Sequence, residues 1–282
     1  MTPDIRVMTA ADIPLGMRLK QEAGWNQTRE DWERFLQLSP SGSFVASVDG
    51  IDLGTVCTFT FDDIGWIAMM LVDSRSRGQG VGKALMSHAI AHLENQGVTS
   101  IRLDATQLGR PVYLKLGFTD QFELNRYAGS LPLVQMGFLQ DVKDITDKDW
   151  DQVIALDTTL MSTPRGSLLK ALAAQEGTIT VMVQNHGQVT GFLFIRPGAN
   201  ATFIGPCVAA TPEAGHTLLG WAMMVCSGQE VIIDIPASHY HANQWARSSG
   251  LSVQRPLMRM CRGKDVRENV STLWASSGPE KG

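Results

Sequence analysis

A glycine-rich loop between a predicted strand and a predicted helix is the stretch of this sequence most suited to chemistry. Apolar residues 67–72 predict a strand, Gly78, Gly80 and Gly82 follow it, and apolar residues at helical spacing from Val81 onward predict a helix. The first turn of such a helix has N–H groups without an intrahelical acceptor and the positive end of the helix dipole, so an anionic phosphate fits there. Glycine lets the backbone approach that phosphate more closely than a Cβ would permit. The stretch therefore predicts a phosphate-binding loop, with a tight left-handed turn as the alternative interpretation.

Two common phosphate loops do not fit these residues. A Walker loop needs glycine where Arg77 stands and Ser or Thr where Ala84 follows the lysine. The dinucleotide fingerprint, counted from Gly78, needs glycine at the position of Lys83. Both classes of nucleotide site are therefore excluded at this loop.

The pattern formed by Arg77, Gly80 and Gly82 after a strand resembles the pyrophosphate-binding motif of the GNAT family of N-acetyltransferases. A strand is predicted at residues 99–104, and after it Tyr113 stands four residues before Gly117-Phe118, which resembles the second signature of that family. The two signatures occur in the family's order and at its separation. The resemblance implies an α/β fold with a mixed, mostly antiparallel central sheet flanked by helices, and acetyl-CoA as acyl donor.

The resemblance also implies which residues hold the donor. In the family, main-chain groups of the strand hold the pantetheine arm and the glycine loop holds the pyrophosphate. Carried onto this sequence, the cofactor-binding residues are Met70, Leu71, Val72, Arg77, Gly78, Gln79, Gly80, Val81, Gly82 and Lys83.

Tyr113 is the candidate general acid that gives a proton to the departing sulfur. A phenol and a thiol have reference pKa values within about two units, so proton transfer between them is plausible. The alternative is a tyrosine packed beneath coenzyme A with a structural role only. The sequence departs from the family nearby, with Thr106 where many members have asparagine and Gly109 where alanine is usual, which puts a side-chain contact to pantetheine in doubt.

The sequence signals for the site that binds the acceptor amine are less specific than those for the acetyl-CoA site. Trp25 and Asn26 lie between two predicted helices, in a connection that borders the acceptor groove in GNAT-like folds; the alternative is a lid packed on its own core. With Glu22 they are the candidate substrate-binding residues. The general base is not identified, and the candidates are Glu22, Asp62, Asp63 and Asp104, each of which could equally be a cap or a surface charge. No metal is expected, because His239 and His241 have no third ligand at metal-site spacing.

The element pattern of residues 1 to about 130 repeats in the second half. The first copy is predicted as strand, two helices, three strands, helix, strand, short helix and strand, with a hairpin turn at Asp49-Gly50. The second copy is predicted to begin with a strand at 138–142 and to end with a strand at 251–260. The predicted domains are residues 1–135, residues 136–265 and a disordered tail, 266–282.

The second copy lacks the phosphate loop. Pro212 and Glu213 stand at that position, one removing an N–H and the other adding a negative charge. Trp245 and Ala246 flank the place of the expected tyrosine. The arrangement resembles bacterial tandem GNAT proteins whose C-terminal half is degenerate and of the YitH type, on stretches 157–165, 204–206 and 259–260. The second half is expected to border the substrate groove or to be structural, and not to bind coenzyme A.

Composition and charge argue against two further classes, nucleic-acid-binding proteins and membrane proteins. A formal charge of −4 over 282 residues argues against broad nucleic-acid binding, and the absence of a long apolar run or a signal-peptide pattern predicts a cytoplasmic protein without a membrane segment. The four cysteines form no CxxC pair and are expected to be reduced thiols. The predicted function is transfer of acetyl from acetyl-CoA to a primary amine of a small molecule, by direct attack in a ternary complex. The alternatives are a protein lysine or N-terminal acetyltransferase, and a non-catalytic acetyl-CoA-responsive binding protein.

Overall fold

The computed structural model describes residues 3–134 and 141–278. These residues form two compact units. Unit 1 contains residues 3–120 and 260–265, and unit 2 contains the described residues of 121–259 together with 266–278.

Unit 1 is a sheet with helices, in the predicted element order. Its elements are β1 (Asp4–Val7), α1 (Ile13–Glu22), α2 (Arg29–Leu38), β2 (Ser43–Val48), β3 (Ile51–Phe61), β4 (Ile64–Val72), α3 (Val81–Asn95), β5 (Ser100–Ala105) and α4 (Arg110–Lys115). Strands β1 to β4 are antiparallel neighbours in chain order, and β5 pairs in parallel with β4. The predicted hairpin is confirmed, since Asp49 and Gly50 both have positive φ between β2 and β3.

Local sequence explains where the first helices begin and how they pack. The Thr28 N–H donates to the Asp31 carboxylate at 2.9 Å, which closes the start of α2. Phe35 of α2 stacks on Phe59 of β3 with ring centroids 4.2 Å apart. The ring contact attaches α2 to the sheet.

Unit 2 repeats this architecture. Its elements are β6 (Thr119–Ser130), β7 (Val142–Asp144), α5 (Trp150–Met161), α6 (Gly166–Ala173), β8 (Ile179–Asn185), β9 (Gln188–Arg196), β10 (Thr202–Ala209), α7 (Pro212–Val225), β11 (Glu230–Pro236), α8 (Tyr240–Ser248), β12 (Ser252–Gly263) and β13 (Leu273–Ala275). Its strand order is β12-β6-β11-β10-β9-β8-β7, with β13 beside β10. Residues 138–140 of the strand predicted at 138–142 lie outside the described residues.

The boundary between the units differs from the predicted division at residue 135. From residue 121 onward β6 belongs to unit 2, where it pairs with β11 from Leu124 opposite Pro236 to Ser130 opposite Glu230. Residues 260–265 belong to unit 1, where the Lys264 N–H donates to the Thr99 carbonyl at 2.8 Å. Strand periodicity indicates that a segment is a strand and does not say which sheet it joins.

The tail predicted to be disordered is ordered as far as the structure describes it, to Gly278. Residues Leu273–Ala275 form β13, and the Trp274 side chain is 1% exposed. The polar composition that suggested disorder belongs to the residues after this apolar triplet. The triplet itself is stabilised by pairing with β10.

Two further expectations can be compared with the structure. All four cysteines are free and buried, as predicted. Within the described residues, no helix is long and apolar enough to cross a membrane.

Candidate active site

The parallel strands β4 and β5 pair over only part of their length. The ladder joins Ile64–Trp66 to Ser100–Arg102. Strand β4 then continues to Val72 and β5 to Ala105 without further pairing between them. Backbone N–H and C=O groups need partners, so the unpaired edge of β4 can receive another extended group between the two strands.

A β-bulge lies in the part of β4 that pairs with β3 but not with β5. Thr55 is opposite Leu71 and Cys57 is opposite Ala68, so Met69 and Met70 share one partner position on β3. Met69 has a φ of 51°, and its carbonyl accepts a hydrogen bond of 2.9 Å from the Thr55 hydroxyl. Bulges re-aim the backbone and are frequent beside active sites.

The glycine loop presents backbone at the start of α3, as predicted. Gly78 and Gly80 have φ values of 77° and 88°, and a Cβ at either would meet no other atom within 4 Å. The Ala84 N–H donates to the Gly80 carbonyl at 3.0 Å, so the N–H groups of the three preceding residues lie outside the helical ladder. The helix therefore begins with open donors beside open space.

The remaining residues of the loop lie around these donors. A Cβ on Gly82 would approach Met70 Cε to 3.2 Å, so this glycine packs α3 closely on β4. The exposed Arg77 donates from Nε to the Val72 carbonyl at 3.4 Å, and Gln79 donates from Nε2 to the Arg75 carbonyl at 3.2 Å. The structure thus brings together the ten predicted cofactor-binding residues at the end of β4 and the start of α3.

A buried carboxylate that the sequence analysis missed holds the beginning of this loop. Asp73 is 1% exposed and accepts hydrogen bonds from the Arg75 N–H at 3.1 Å and from Arg18 Nη1 at 2.8 Å. The Arg75 side chain, then Arg18 and the Arg75 N–H, hold the pKa of Asp73 well below its usual range. Arg18 Nη1 also donates to Glu22 at 2.6 Å, so one guanidinium joins α1 to the loop. An aspartate immediately after a strand and two residues before an arginine was the available signal.

We expect Arg18→Ala to lower the free energy of unfolding by about 1 kcal/mol, because a buried carboxylate loses a charge-assisted hydrogen bond. The matched control is Arg29→Ala, whose arginine pairs with Glu33 on the exposed face of α2; the expected loss is below about 0.5 kcal/mol. Urea denaturation at pH 7 compares them.

The pH dependence adds a second measurement. Because the pKa of Asp73 is lowered, its stabilisation is present above the unfolded-state pKa of about 4 and is lost as the pH falls below it. The difference between wild type and Arg18→Ala should therefore shrink at about pH 3. Equal losses in the two variants at pH 7 would contradict the role given to Arg18.

Tyr113 lies on α4 against a glycine that accommodates its ring. A Cβ on Gly109 would come within 2.8 Å of Tyr113 Cε2, so alanine at this position would clash with the phenol. The Thr106 hydroxyl accepts a hydrogen bond of 3.2 Å from the Gly109 N–H in the turn before α4. The two departures from the family pattern, Thr106 and Gly109, are therefore joined by a hydrogen bond, and Gly109 lies against Tyr113. Burial raises the pKa of the phenol to about 12.

The predicted acceptor residues lie at the end of α1 and in the turn after it. Gly24 has a φ of 65°, and the Trp25 N–H donates to the Lys20 carbonyl at 2.9 Å, so the helix ends in a left-handed turn. Trp25 is half-buried, Asn26 is buried and Glu22 is exposed. Through Arg18 the structure brings Glu22 to the glycine loop.

The structure separates two of the base candidates from this site. Asp62 and Asp63 precede β4, whereas the loop follows its last residue, roughly 30 Å further at the usual rise per residue. Asp63 accepts a hydrogen bond of 2.8 Å from the Thr99 hydroxyl, and that bond lowers its pKa. Asp104 is half-buried near the end of β5, beside the unpaired part of the strand.

Comparison with known families matches both units. The Acetyltransferase (GNAT) family profile matches residues 16–118, and an Acetyltransferase (GNAT) domain profile matches residues 153–275. The first match contains the glycine loop and Tyr113. The second runs from within α5 to the end of β13, which confirms the repeat predicted from the element order.

Individual proteins show the same similarity over nearly the whole chain. The holothin acyltransferase of a Pseudoalteromonas species is 25% identical over 92% of this chain and 87% of its own length. The uncharacterised N-acetyltransferase YitH of Bacillus subtilis is 24% identical over 79% of this chain and 78% of its own length. A crystal structure from Pyrococcus horikoshii superposes with a TM-score of 0.86 at 24% identity, covering 100% of this chain and 96% of that one.

The fold, the partial pairing of β4 and β5, and the two profile matches agree with each other and with the predicted α/β class. The predicted YitH resemblance is confirmed by the similarity to that protein. The chain therefore belongs to the GNAT family of acetyltransferases, as an acyltransferase with two GNAT domains in tandem.

Proposed function

We propose that unit 1 binds acetyl-CoA and transfers its acetyl group to a primary amine of a small molecule by direct attack in a ternary complex. The observation that carries this proposal is the three-residue ladder between β4 and β5, which leaves room for an extended arm beside the bulge. The glycine loop lies at the same end of β4.

The residues present suit coenzyme A. Its pyrophosphate needs N–H donors and positive charge, which the first turn of α3, Arg77 and Lys83 supply. Its pantetheine arm needs backbone partners, which Met70, Leu71 and Val72 supply along the unpaired strand edge. When bound, acetyl-CoA would supply the thioester that an amine attacks.

Tyr113 has the protonation state that a general acid needs. With its pKa raised to about 12, the phenol keeps its proton throughout the physiological range. A thiol has a reference pKa of about 8.5, so the raised pKa keeps the phenol protonated but makes it a weaker acid than the thiol that its proton would form. The close contact with Gly109 holds the ring in position.

The acceptor class rests on two supports. The Pseudoalteromonas relative, similar over 92% of this chain, is by name an acyltransferase for a small molecule, holothin. Glu22 is the last residue of α1, and Trp25 and Asn26 follow it closely in the chain; Arg18 joins this end of α1 to Asp73 at the start of the loop. A small amine held there would meet the half-buried Trp25 ring and the exposed Glu22 carboxylate, with the buried Asn26 beneath them in the chain turn.

We expect Gly80→Ala to weaken acetyl-CoA binding ~10- to 100-fold, because an L-residue strains the left-handed backbone and misplaces at least one N–H donor to phosphate. The matched control is Gly97→Ala at the other end of α3, where φ is 82° and a Cβ also meets open space. It should carry similar strain and leave acetyl-CoA binding unchanged. Isothermal titration calorimetry measures both, and equal affinities of the two variants would remove the loop from the donor site.

Catalysis itself is tested by release of coenzyme A thiol from acetyl-CoA with a panel of polyamines, amino acids, amino sugars and aminated antibiotics. At least one small amine should give saturable thiol release that Gly80→Ala reduces. Binding of acetyl-CoA without turnover on any of them, together with acetylation of protein lysines, would contradict the small-molecule acceptor.

A further inference from the structure

Unit 2 repeats the partial strand pairing seen in unit 1. Its parallel strands β10 and β11 are joined from Thr202–Ile204 to Val231–Ile233, again three residues each. Both strands continue beyond this ladder, to Ala209 and Pro236. A gap of the same kind as that between β4 and β5 therefore follows.

A later segment of the same chain occupies this gap. In β13, Ala275 pairs with Cys207 and Leu273 pairs with Val208 of β10. The Ser276 N–H donates to the Asp234 carbonyl of β11 at 2.8 Å. One extended segment thus makes backbone contacts with both of the diverging strands.

Two glycines make room for the segment. A Cβ on Gly205 would overlap the Ser276 carbonyl, and a Cβ on Gly215 of α7 would overlap the Trp274 indole. The indole also contacts histidine rings, with centroids 5.1 Å and 4.6 Å away, which belong to His216 and His239. The space beside β10 is therefore shaped for this peptide.

Buried charged side chains hold the residues on either side of β13. Before it, Glu268 pairs with Arg259 at 2.7 Å. After it, the Ser277 hydroxyl accepts from Arg165 Nη1 at 3.1 Å and the Ser277 carbonyl accepts from Arg196 Nη2 at 2.6 Å. These arginine side chains are buried, so the segment is an integral part of unit 2.

The start of α7 has fewer open donors than the start of α3. The Thr211 hydroxyl accepts from the Ala214 N–H at 3.3 Å, and Pro212 has no N–H. The carboxylate of Glu213 adds negative charge in the first turn. A phosphate at this helix end would meet a capped terminus and a like charge.

We propose that the gap between β10 and β11 is a strand-binding cleft whose resident ligand is the chain's own segment Leu273–Ala275. This peptide takes in unit 2 the place that acetyl-CoA takes in unit 1, and it closes unit 2 to the cofactor. The comparison with acetyl-CoA rests on the proposed function, whereas the position of the segment does not. Recognition is by added β-strand hydrogen bonds with one tryptophan anchor.

The first test uses two glycines of the same helix. Gly215→Ala should lower the melting temperature of the full chain by ~5 °C or more, because its methyl group collides with Trp274. The control Gly220→Ala, whose Cβ meets no other atom within 4 Å, should leave the melting temperature unchanged or raise it. Equal melting temperatures for the two variants would overturn the proposal.

A double-mutant cycle assigns the collision to the indole. Gly215→Ala combined with Trp274→Ala should melt above the temperature expected from adding the two single effects, because the clash is then absent. Additive effects would overturn the contact. If Gly215→Ala does not fold, wild type and Trp274→Ala still test the segment by hydrogen exchange.

Hydrogen exchange of wild type, with and without acetyl-CoA, tests the occupancy of both units. Amides of residues 273–276 should exchange ~100-fold or more slowly than in an unfolded chain, and Trp274→Ala should accelerate them. Acetyl-CoA should protect residues 78–83 and leave 273–276 unchanged. Loss of protection at 273–276 on adding acetyl-CoA, or unfolded-state rates there without it, would overturn the proposal. If acetyl-CoA fails to protect residues 78–83 while residues 273–276 remain protected, the proposed function is contradicted. The position of the segment Leu273–Ala275 in unit 2 is then unaffected.

Discussion

Tyr113→Phe is expected to lower kcat by ~10²- to 10⁴-fold, the range that a positioned general acid contributes. The phenyl ring keeps the packing against Gly109 and Phe118, so acetyl-CoA affinity and the melting temperature should change little. The measurement is single-turnover thiol release with the best amine of the panel. The control is Tyr240→Phe, which removes a hydroxyl from a side chain that is 71% exposed in unit 2 and should leave kcat unchanged.

The pH profile separates Tyr113 from other groups. Because burial raises the pKa of Tyr113 to about 12, the acid stays protonated and kcat should not fall between about pH 8 and pH 10 through its ionisation. An ordinary tyrosine would already be half-ionised at about pH 10. A Tyr113→Phe variant with full kcat would restrict the residue to packing beneath the donor.

The parts of the site that depend on local sequence were predictable. The glycine loop needs positive φ at Gly78 and Gly80 and an apolar helix after them, and both requirements are visible in neighbouring residues. The turn at Asp49-Gly50 is predictable for the same reason. Motifs of this kind are determined by a few consecutive residues.

Contacts between distant residues were not predictable from one sequence. Arg18 and Asp73 are 55 positions apart, and their hydrogen bond exists only because α1 packs beside the end of β4. Tyr113 and Gly109 are close in sequence, but the contact between them depends on the direction of the Tyr113 side chain in α4. Both therefore appear only when the fold places them.

Strand partners are the second class of unpredicted feature. The apolar triplet Leu273–Ala275 is too short to indicate a strand by periodicity, and its partner β10 lies more than 60 residues earlier. Strand β6 had the right pattern, but alternation along a strand is equally compatible with several sheets. In unit 2, β6 carries one buried charge that meets its counter-charge on β11.

That charge belongs to a buried ion pair across the β6–β11 ladder. Arg126 and Asp234 are opposite each other in the register and form two hydrogen bonds of 2.7 Å, with side chains 3% and 1% exposed. Arg255 is also influenced by this pair: burial, and then Arg126, lower its pKa, and Asp234 opposes the shift. Asp234 is thus an anion that compensates two neighbouring cations.

Asp234→Asn should therefore cost about 3–5 kcal/mol of the free energy of unfolding of unit 2, the usual result of leaving a buried charge without its partner. The combined change Arg126→Met with Asp234→Leu should recover part of this loss, because apolar residues of similar size often replace a buried ion pair at little cost, whereas Arg255 still lacks the anion. Urea denaturation measures the free energy, and hydrogen exchange at residues 231–235 attributes it to unit 2.

A matched control lies at the end of the same strand pair. Glu230→Gln removes a carboxylate opposite Ser130 on the exposed edge of the β6–β11 ladder, so it should cost less than about 0.5 kcal/mol. If Asp234→Asn cost no more than this control, the ion pair would not determine which sheet β6 joins. The apolar double variant could also keep its free energy of unfolding but lose hydrogen-exchange protection at residues 231–235. In that case the ion pair would specify the register of β6 without stabilising the fold. A slip of one residue moves Arg126 to the other face of the sheet, so the register determines whether the pair can form.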